Sequence, residues 1–397
     1  MQETDILVVG AGAAGASLGY LLKQAGKDVL LLEMLDAKKK NKLCAGIIEH
    51  RADKAFTDIF GKTLAEAGLV TMPMETMIVR HDDYEMSHTM PKKHQAVQGT
   101  EQGSVQDENA QGFVASLRNY LQKGGKMAAK MAVKKAAGYE PGVVSYKALP
   151  RKHFDDYILN RYLEAGGQLM DRTTVRSIDK ERQVACCVNL VTKETFEIKY
   201  NTLVGADGAT SIVRRLLTGK RQSTTLALEA PVPLTLRETV IYLRPADHGY
   251  FWYIPRGKDA TVGCVYHKLG CRDSEIRKHF ATCCEDMGIN IENKIRGALI
   301  PDGSDVLLQP AENCFLLGEA AGLSDNFTGG GIHYALLSSK ALADAFAGGG
   351  GDRGVQAAYY KAMKPHLDAV HKNYSNANIY FAAGGKVVEF LGQKKTN

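Results

Sequence analysis

Residues 5–33, DILVVGAGAAGASLGYLLKQAGKDVLLLE, hold two unbroken apolar runs separated by a stretch whose apolar residues recur at helical spacing. Short continuous apolar runs predict strands buried on both faces, and the helical stretch predicts an amphipathic crossover between them. Two later segments repeat this strand–turn–helix order. NTLVGADGATSIVRRLL has Asp207 and Gly208 at its turn. In ENCFLLGEAAGLSDNFTGGGIHYALLSSKALADAF, Gly318 and Glu319 end the strand, and Gly329, Gly330 and Gly331 open the helix. In LPRKHFDDYILNRYLEAGGQL, Phe154, Ile158, Tyr162 and Leu163 read as the apolar face of a helix stopped by Gly166 and Gly167. GYFWYIPRG, residues 249–257, has a period of two instead. As a strand it places Tyr250, Trp252 and Ile254 on one face, and Phe251 and Tyr253 on the other. Such a strand is either interior or one wall of a large apolar cavity. Near the C-terminus, Leu367, Val370, Tyr374, Ala377 and Phe381 recur three and four residues apart, predicting a helical stripe ended by Gly384 and Gly385. The polar stretch 92–112 carries little apolar surface and reads as a mobile loop.

A chain of 397 residues exceeds the usual size of one hydrophobic core, so two domains or one elaborated domain are expected. An apolar fraction of 45% and a net charge of +6 are ordinary for a globular protein, and nothing points to a nucleic-acid partner. The run Lys38, Lys39, Lys40 and Lys42 reads as a solvated loop, with anion or membrane contact the alternative. No apolar stretch is long enough to span a bilayer and no cleavable signal is evident. The expected location is the cytoplasm, with peripheral membrane contact left open. The eight cysteines include the adjacent pairs Cys186–Cys187 and Cys283–Cys284 and form no CxxC, which points to a reducing compartment. His267, Cys271, His279, Cys283 and Cys284 are close in sequence but read as buried thiols and surface histidines, so no metal is expected.

Candidate chemistry begins at the first turn. Gly10 permits a tight turn, Gly12 lets the backbone approach a pyrophosphate, and Gly15 lets helix and sheet pack closely. The helix start then offers unpaired N–H groups and partial positive charge to the phosphates. Glu33 ends the second strand at the distance expected to bind an adenosine ribose, and its charge would repel a 2′-phosphate.

With the two later motifs, this order resembles the glutathione-reductase-like FAD family in its hydroxylase-type branch. Within that branch the chain is similar to the geranylgeranyl reductase family. The matching residues are Lys42, Cys44, Ala45 and Gly46 in NKLCAGII, the segment TGGGIHYALLSS, and Tyr250, Trp252 and Pro255 of an aromatic motif followed by Gly263. Ile254 stands where that family has phenylalanine, Val265 where it has a second glycine, and Glu319 where the wider family has aspartate.

The resemblance implies an α/β chain in which a Rossmann-like FAD-binding domain is interleaved with a sheet-based α+β substrate domain. Residues 1–70, 143–215 and 310–350 would bind FAD, 71–142 and 216–309 would hold the substrate, and 351–397 would be a helical C-terminal segment. It implies cofactor contacts along Gly10, Ala11, Gly12, Ala13, Ala14 and Gly15, and at Glu33, Met34, Cys44, Ala45 and Val175. Further contacts would come from Asp207, Gly208, Gly318 and Glu319, and from Gly329, Gly330, Gly331 and Ile332, whose N–H groups would face the flavin. Arg151 is either aimed at the cofactor or a surface arginine.

The implied activity is reduction of carbon–carbon double bonds in an apolar, isoprenoid-like substrate lying against Tyr250, Trp252, Ile254, Pro255 and His333. Both departures on the aromatic strands leave room for a substrate other than a polyprenyl chain. Cys44 is the candidate catalytic residue, a proton donor or alkene contact, with a small buried hydrophobe as the competing reading. His333 reads equally as a packing or capping residue. No second nucleotide fingerprint follows the first, so an external donor, NAD(P)H or ferredoxin-like, is expected. A flavin monooxygenase, a halogenase and a flavin-binding sensor remain as other readings of these motifs. The C-terminal stripe either packs on its own domain or covers the cavity mouth beside a membrane, where Lys361, Lys364, Lys372 and Lys386 would meet anionic headgroups.

Overall fold

The first apolar run forms the strand Gln2–Val9 near the middle of a seven-stranded sheet in the computed structural model. The model describes residues 1–74, 76–81, 84–89, 146–244, 249–266, 273–325, 330–391 and 393–394. Gln2–Val9 pairs in parallel with Val29–Leu32 on one side and Thr195–Gly205 on the other. Gln168–Met170 extends the sheet in parallel beyond Val29–Leu32, and Cys314–Leu316 runs parallel to Thr195–Gly205. All four residues of Val29–Leu32 are buried, as a parallel strand covered on both faces requires. The helices Ala13–Gln24, Arg151–Glu164 and Ile332–Ala347 pack together to cover this sheet. The architecture is therefore α/β, with the C-terminal ends of the parallel strands opening toward the glycine turn.

A second, eight-stranded sheet runs in the order Arg296–Pro301, Thr224–Pro233, Asp259–Tyr266, Gly249–Pro255, Thr239–Arg244, Thr76–His81, Tyr84–Thr89 and Gln393–Lys394. Its two faces carry different cores. Leu228, Phe251, Tyr253 and Val262 pack with Phe280, Cys283 and Cys284 of the helix Asp273–Asp286. Ala227, Trp252, Ile254 and Val265 face the other way and pack with Tyr250, Ala45 and Ile47. The period of two in the aromatic run thus separates a structural face from a face turned toward the Cys44 segment.

The structure corrects several expectations. Leu163 is 40% exposed, whereas Phe154, Ile158 and Tyr162 are buried. Nine residues at ~100° each place Leu163 on the side opposite Phe154, so it lies off the stripe. The C-terminal helix does not stop at Gly384 and Gly385 but runs from Gly351 to Leu391. Two interior glycines cost a helix only about 1 kcal/mol each, too little to end one of this length. Its earlier turns carry Val355, Tyr359, Met363, Leu367 and Val370 into the core of the parallel-sheet domain. The stretch 92–112, Gly329, His267 and Cys271 lie outside the described residues, as do the side chains of Tyr374, Ala377 and Phe381. No helix of the described residues is long and apolar enough to cross a membrane.

Candidate functional site

The glycine turn is built by close approach. Gly10 has a φ of +102°, and a Cβ there would lie 2.4 Å from the Ala206 carbonyl oxygen. A Cβ on Gly15 would lie 1.9 Å from the Gly10 carbonyl oxygen, so helix and turn touch backbone to backbone. Gly12 differs: a Cβ there would meet only Lys40 Nζ, at 3.8 Å. Its open side is where a ligand can reach the start of the helix Ala13–Gln24, whose first turn has no side-chain cap. Ala11, Ala13 and Ala14 are buried beneath this turn. Glu33 is buried at the end of its strand, and Oε2 accepts the Ala11 N–H at 3.1 Å. Met34, the next residue, is 48% exposed, while Val175 is buried opposite Cys187 in the same sheet.

Two lysines expected in a solvated loop turn inward. Lys40 Nζ donates to Glu33 Oε2 at 2.5 Å, and its side chain is only 13% exposed. Lys42 Nζ pairs with Glu319 Oε2 at 2.8 Å. The buried Glu33 and the partly buried Glu319 each draw one amine toward them, which local composition does not reveal. Lys39, just before them in the chain, stays 86% exposed. The Glu33–Lys40 pair also moderates the repulsion that Glu33 alone would exert on a 2′-phosphate.

Glu319 sits in the turn Gly318–Ala321, facing Gly208 of the second motif and Gly331 of its own. A Cβ on Gly208 would lie 3.8 Å from Glu319 Oε2, and one on Gly331 would lie 3.1 Å from Oε1. A Cβ on Gly318 would lie 3.4 Å from Ala14 Cβ of the first motif, so the three strand–turn–helix motifs meet at this turn. Gly331 is the N-cap of the helix Ile332–Ala347 and supplies no side-chain cap; Gly330, just ahead of it, accepts from the Asp325 N–H. Asp207 is committed locally: its carboxylate accepts from Ser211 Oγ at 2.6 Å and from the Ile212 and Val213 N–H groups. Burial pushes this carboxyl above the usual range, and those hydrogen bonds pull back against it. Its role is to hold the start of the helix Ile212–Thr218 beside Gly208.

Arg151 is not a surface arginine. It is 8% exposed, and Nε donates to Asp155 Oδ1 at 2.9 Å. Burial works against its charge, but Asp155, Cys44 and Glu319 outweigh that and raise its pKa. Arg151 thus holds a buried positive charge within electrostatic reach of both the cysteine and the glutamate. Cys44 is half-buried, and its Sγ accepts the Gly46 N–H at 3.5 Å. Ala45 and Ile47, its neighbours in the chain, pack on the Trp252 and Ile254 face of the second sheet. The Cys44 segment is therefore held between the three-motif centre and the aromatic wall. Pro255 ends that wall and is buried.

Tyr250 and Trp252 lie with ring centroids 5.9 Å apart. Burial pushes the Tyr250 phenol well up, and Asp325, just ahead of the glycine-rich helix start, adds to this. His333 is buried within 6.2 Å of His366, and its Nδ1 has no hydrogen-bond partner in the structure. Burial, Arg51 and His366 lower its pKa to about 4, so it is neutral at pH 7 and a poor proton donor there.

The sequence reading missed one buried acid. Glu229, in Thr224–Pro233, is 5% exposed on the same face as Ala227, and its Oε2 has no partner. Burial pushes its carboxyl up to about 7 against the pull of Arg256, Arg296, the Thr261 hydroxyl and the Cys44 backbone N–H. An acidic residue inside an otherwise apolar strand was the available signal.

Comparison with known proteins places this geometry. A family model described as FAD binding domain matches residues 3–267. The chain is 23% identical over 403 aligned positions to digeranylgeranylglycerophospholipid reductase 2 of Methanosphaera stadtmanae, covering 96% of this chain and 88% of that one. A geranylgeranyl bacteriochlorophyll reductase-like structure from Thermoplasma acidophilum superposes with a TM-score of 0.67 at 16% identity, covering 98% of this chain and 88% of the other. A structure described as a probable FAD-dependent monooxygenase from Pseudomonas aeruginosa superposes with 0.66 at 18% identity, covering 97% of this chain and all of the other.

Proposed function

The chain belongs to the FAD binding domain family, and from that premise we propose that it reduces carbon–carbon double bonds of an apolar, isoprenoid-like substrate. The residues fit the cofactor. Gly12 is open where a pyrophosphate would approach, and two helix starts without side-chain caps face the same centre. Glu33 keeps a lone pair on Oε1 beyond those used by Ala11, Leu35 and Lys40, enough to take a ribose hydroxyl. Bound there, reduced FAD supplies a hydride.

Around that centre the protein's own residues would divide the remaining work. The Gly10–Gly15 turn, Glu33 and Lys40 would hold the adenosine and pyrophosphate end. Gly208, Glu319 and the helix start at Gly331 would hold the flavin end, with Arg151 and Lys42 balancing the negative charge that accumulates there. Tyr250, Trp252 and Ile254 would lie along the substrate and exclude water. Cys44, at the boundary between the two, would deliver the proton that completes reduction, from its Sγ.

One observation carries this reading: the neighbours of Cys44, Ala45 and Ile47, pack directly on the aromatic face. A thiol held between a cofactor centre and an apolar wall suits reduction of an apolar alkene. The similarity to the reductase of Methanosphaera stadtmanae supports the same substrate class, and the geranylgeranyl bacteriochlorophyll reductase-like structure of Thermoplasma acidophilum shares the fold. The comparable likeness to a monooxygenase supports a second reading, in which the same centre activates oxygen toward an aromatic substrate. A Cys44→Ser variant tests the role of the thiol in the first reading. In the reductase reading it keeps FAD and loses most alkene reduction when supplied with an external reductant. Activity within about twofold of the native protein, under roughly 0.5 kcal/mol of barrier, rejects Cys44 as the proton donor.

A further inference from the structure

Glu229 and Trp252 face Gly263 from its two sides. Glu229 is the partner of Gly263 across one antiparallel ladder, and Trp252 is its partner across the next. Directly opposed residues of a sheet share a face, so the carboxyl and the indole project to the same side with only a hydrogen atom between them. Gly263 makes this arrangement possible. A Cβ there would lie 2.1 Å from Trp252 Cζ2 and 2.4 Å from Cε2, so the indole lies across the glycine toward the Glu229 strand.

Both side chains carry an unmet hydrogen-bonding atom. Trp252 is 5% exposed and its Nε1–H has no acceptor; Glu229 is 5% exposed and its Oε2 has no donor. A buried donor and a buried acceptor without partners each cost about 1–3 kcal/mol unless something between them satisfies both. Ala227, Ile254 and Val265 share the face and Ala45 and Ile47 pack over it, while the Thr261 hydroxyl and the Cys44 backbone N–H lie beside the carboxyl. The charged groups near the carboxyl, Arg256 and Arg296, are turned to other partners. Arg256 binds Asp259, and Arg296 Nη2 donates to the Asn41 carbonyl oxygen at 2.5 Å.

We propose that Glu229 and Trp252 frame a hydrogen-bonding subsite for the single hydroxyl of an otherwise apolar ligand. The hydroxyl donates to Glu229 Oε2 and accepts from Trp252 Nε1–H, one group meeting both needs. Neither a pure hydrocarbon nor an ether can do this, because the first has no polar atom and the second has no proton to donate. The inference deepens the reductase reading by specifying the substrate as a long-chain alcohol, and it rests on that reading for the apolar chain alone.

Trp252 is the only tryptophan of the chain, so its fluorescence reports on this subsite directly. The test titrates the FAD-loaded protein with three ligands of one polyprenyl chain: the alcohol, its methyl ether and the parent hydrocarbon. The alcohol is expected to change Trp252 emission and to bind about tenfold tighter than the other two, the effect of one well-placed buried polar pair. In Glu229→Leu the three affinities should converge, while Glu229→Gln, which keeps an acceptor, should retain most of the preference. Equal affinity for alcohol and hydrocarbon in the native protein overturns the proposal, because water then serves both atoms. So does an ether that binds as well as the alcohol. The native comparison stands even if the leucine variant does not fold. Binding is read without turnover, so an alcohol that binds but is not reduced leaves the subsite intact and counts against the reductase reading. Failure of all three ligands to bind overturns both.

Discussion

Lys42 Nζ lies 2.8 Å from Glu319 Oε2, which fastens the segment carrying Cys44 to the turn that precedes the glycine-rich helix. One ion pair thus joins the thiol to the point where the three nucleotide-binding motifs meet. Because Lys42 is 36% exposed, the pair is screened by solvent and its coupling is expected at only about 0.5–1 kcal/mol. A double-mutant cycle with Lys42→Met and Glu319→Gln should recover that value from thermal unfolding at low salt and a smaller one at high salt. FAD affinity should fall in both single variants, since each leaves the other charge unbalanced where the proposed reading seats the flavin.

Gly12 and Gly15 should fail differently when enlarged. At Gly12 a side chain enters open space, so Gly12→Val should fold and lose FAD, by absorbance of the purified protein. At Gly15 even a methyl group collides with the Gly10 carbonyl oxygen, so Gly15→Ala should lower the unfolding temperature of the FAD-free protein. A Gly12→Val protein that still carries native FAD would show that the cofactor does not approach this turn.

Gly263→Ala should displace the Trp252 indole, because the new Cβ would overlap its ring. The expected cost is about 1–3 kcal/mol, as for other overpacked positions. Tryptophan emission should shift to the red as the indole leaves its buried position. Unchanged emission would place Trp252 elsewhere.

His333 should make stability fall in mild acid. Its pKa is about 4 in the folded protein against an ordinary 6.5, so below 6.5 the unfolded chain binds a proton that the folded protein refuses. Stability is then lost as pH drops from about 6.5 toward 4, by roughly 3 kcal/mol if His333 acts alone. His366, whose pKa burial and Arg51 also lower, adds in the same direction. His333→Phe should flatten this part of the urea-unfolding profile against pH; a variant with the native slope would assign the effect to another group.

What the sequence made legible was local in origin. The Gly10–Gly15 turn and the two faces of the aromatic strand follow from spacing within a few residues, and the structure shows both. Lys40 and Lys42 were misread because their partners, Glu33 and Glu319, are chosen by the fold rather than by neighbouring residues. The meaning of Glu229 likewise depends on the fold, on Gly263 in the adjacent strand and Trp252 in the strand beyond it. Leu163 was misplaced by counting apolar letters without following the helical angle. The C-terminal helix continued past Gly384 and Gly385 because a glycine pair alone is too weak a stop.

The central claim, reduction of an apolar alkene at the Cys44 boundary, is tested most directly by one anaerobic turnover. The FAD-loaded protein is photoreduced without oxygen and mixed with a polyprenyl alcohol in deuterated water, and flavin absorbance and product mass are followed together. The account predicts that the flavin reoxidises without oxygen as one double bond is lost, and that the product gains two solvent-derived deuterium atoms on carbon, one from the exchangeable N–H of reduced flavin and one from the proton donor. In Cys44→Ser the same reoxidation should be slowed severely. Flavin that stays reduced until oxygen is admitted, then yields peroxide or an oxygenated product, would contradict the account.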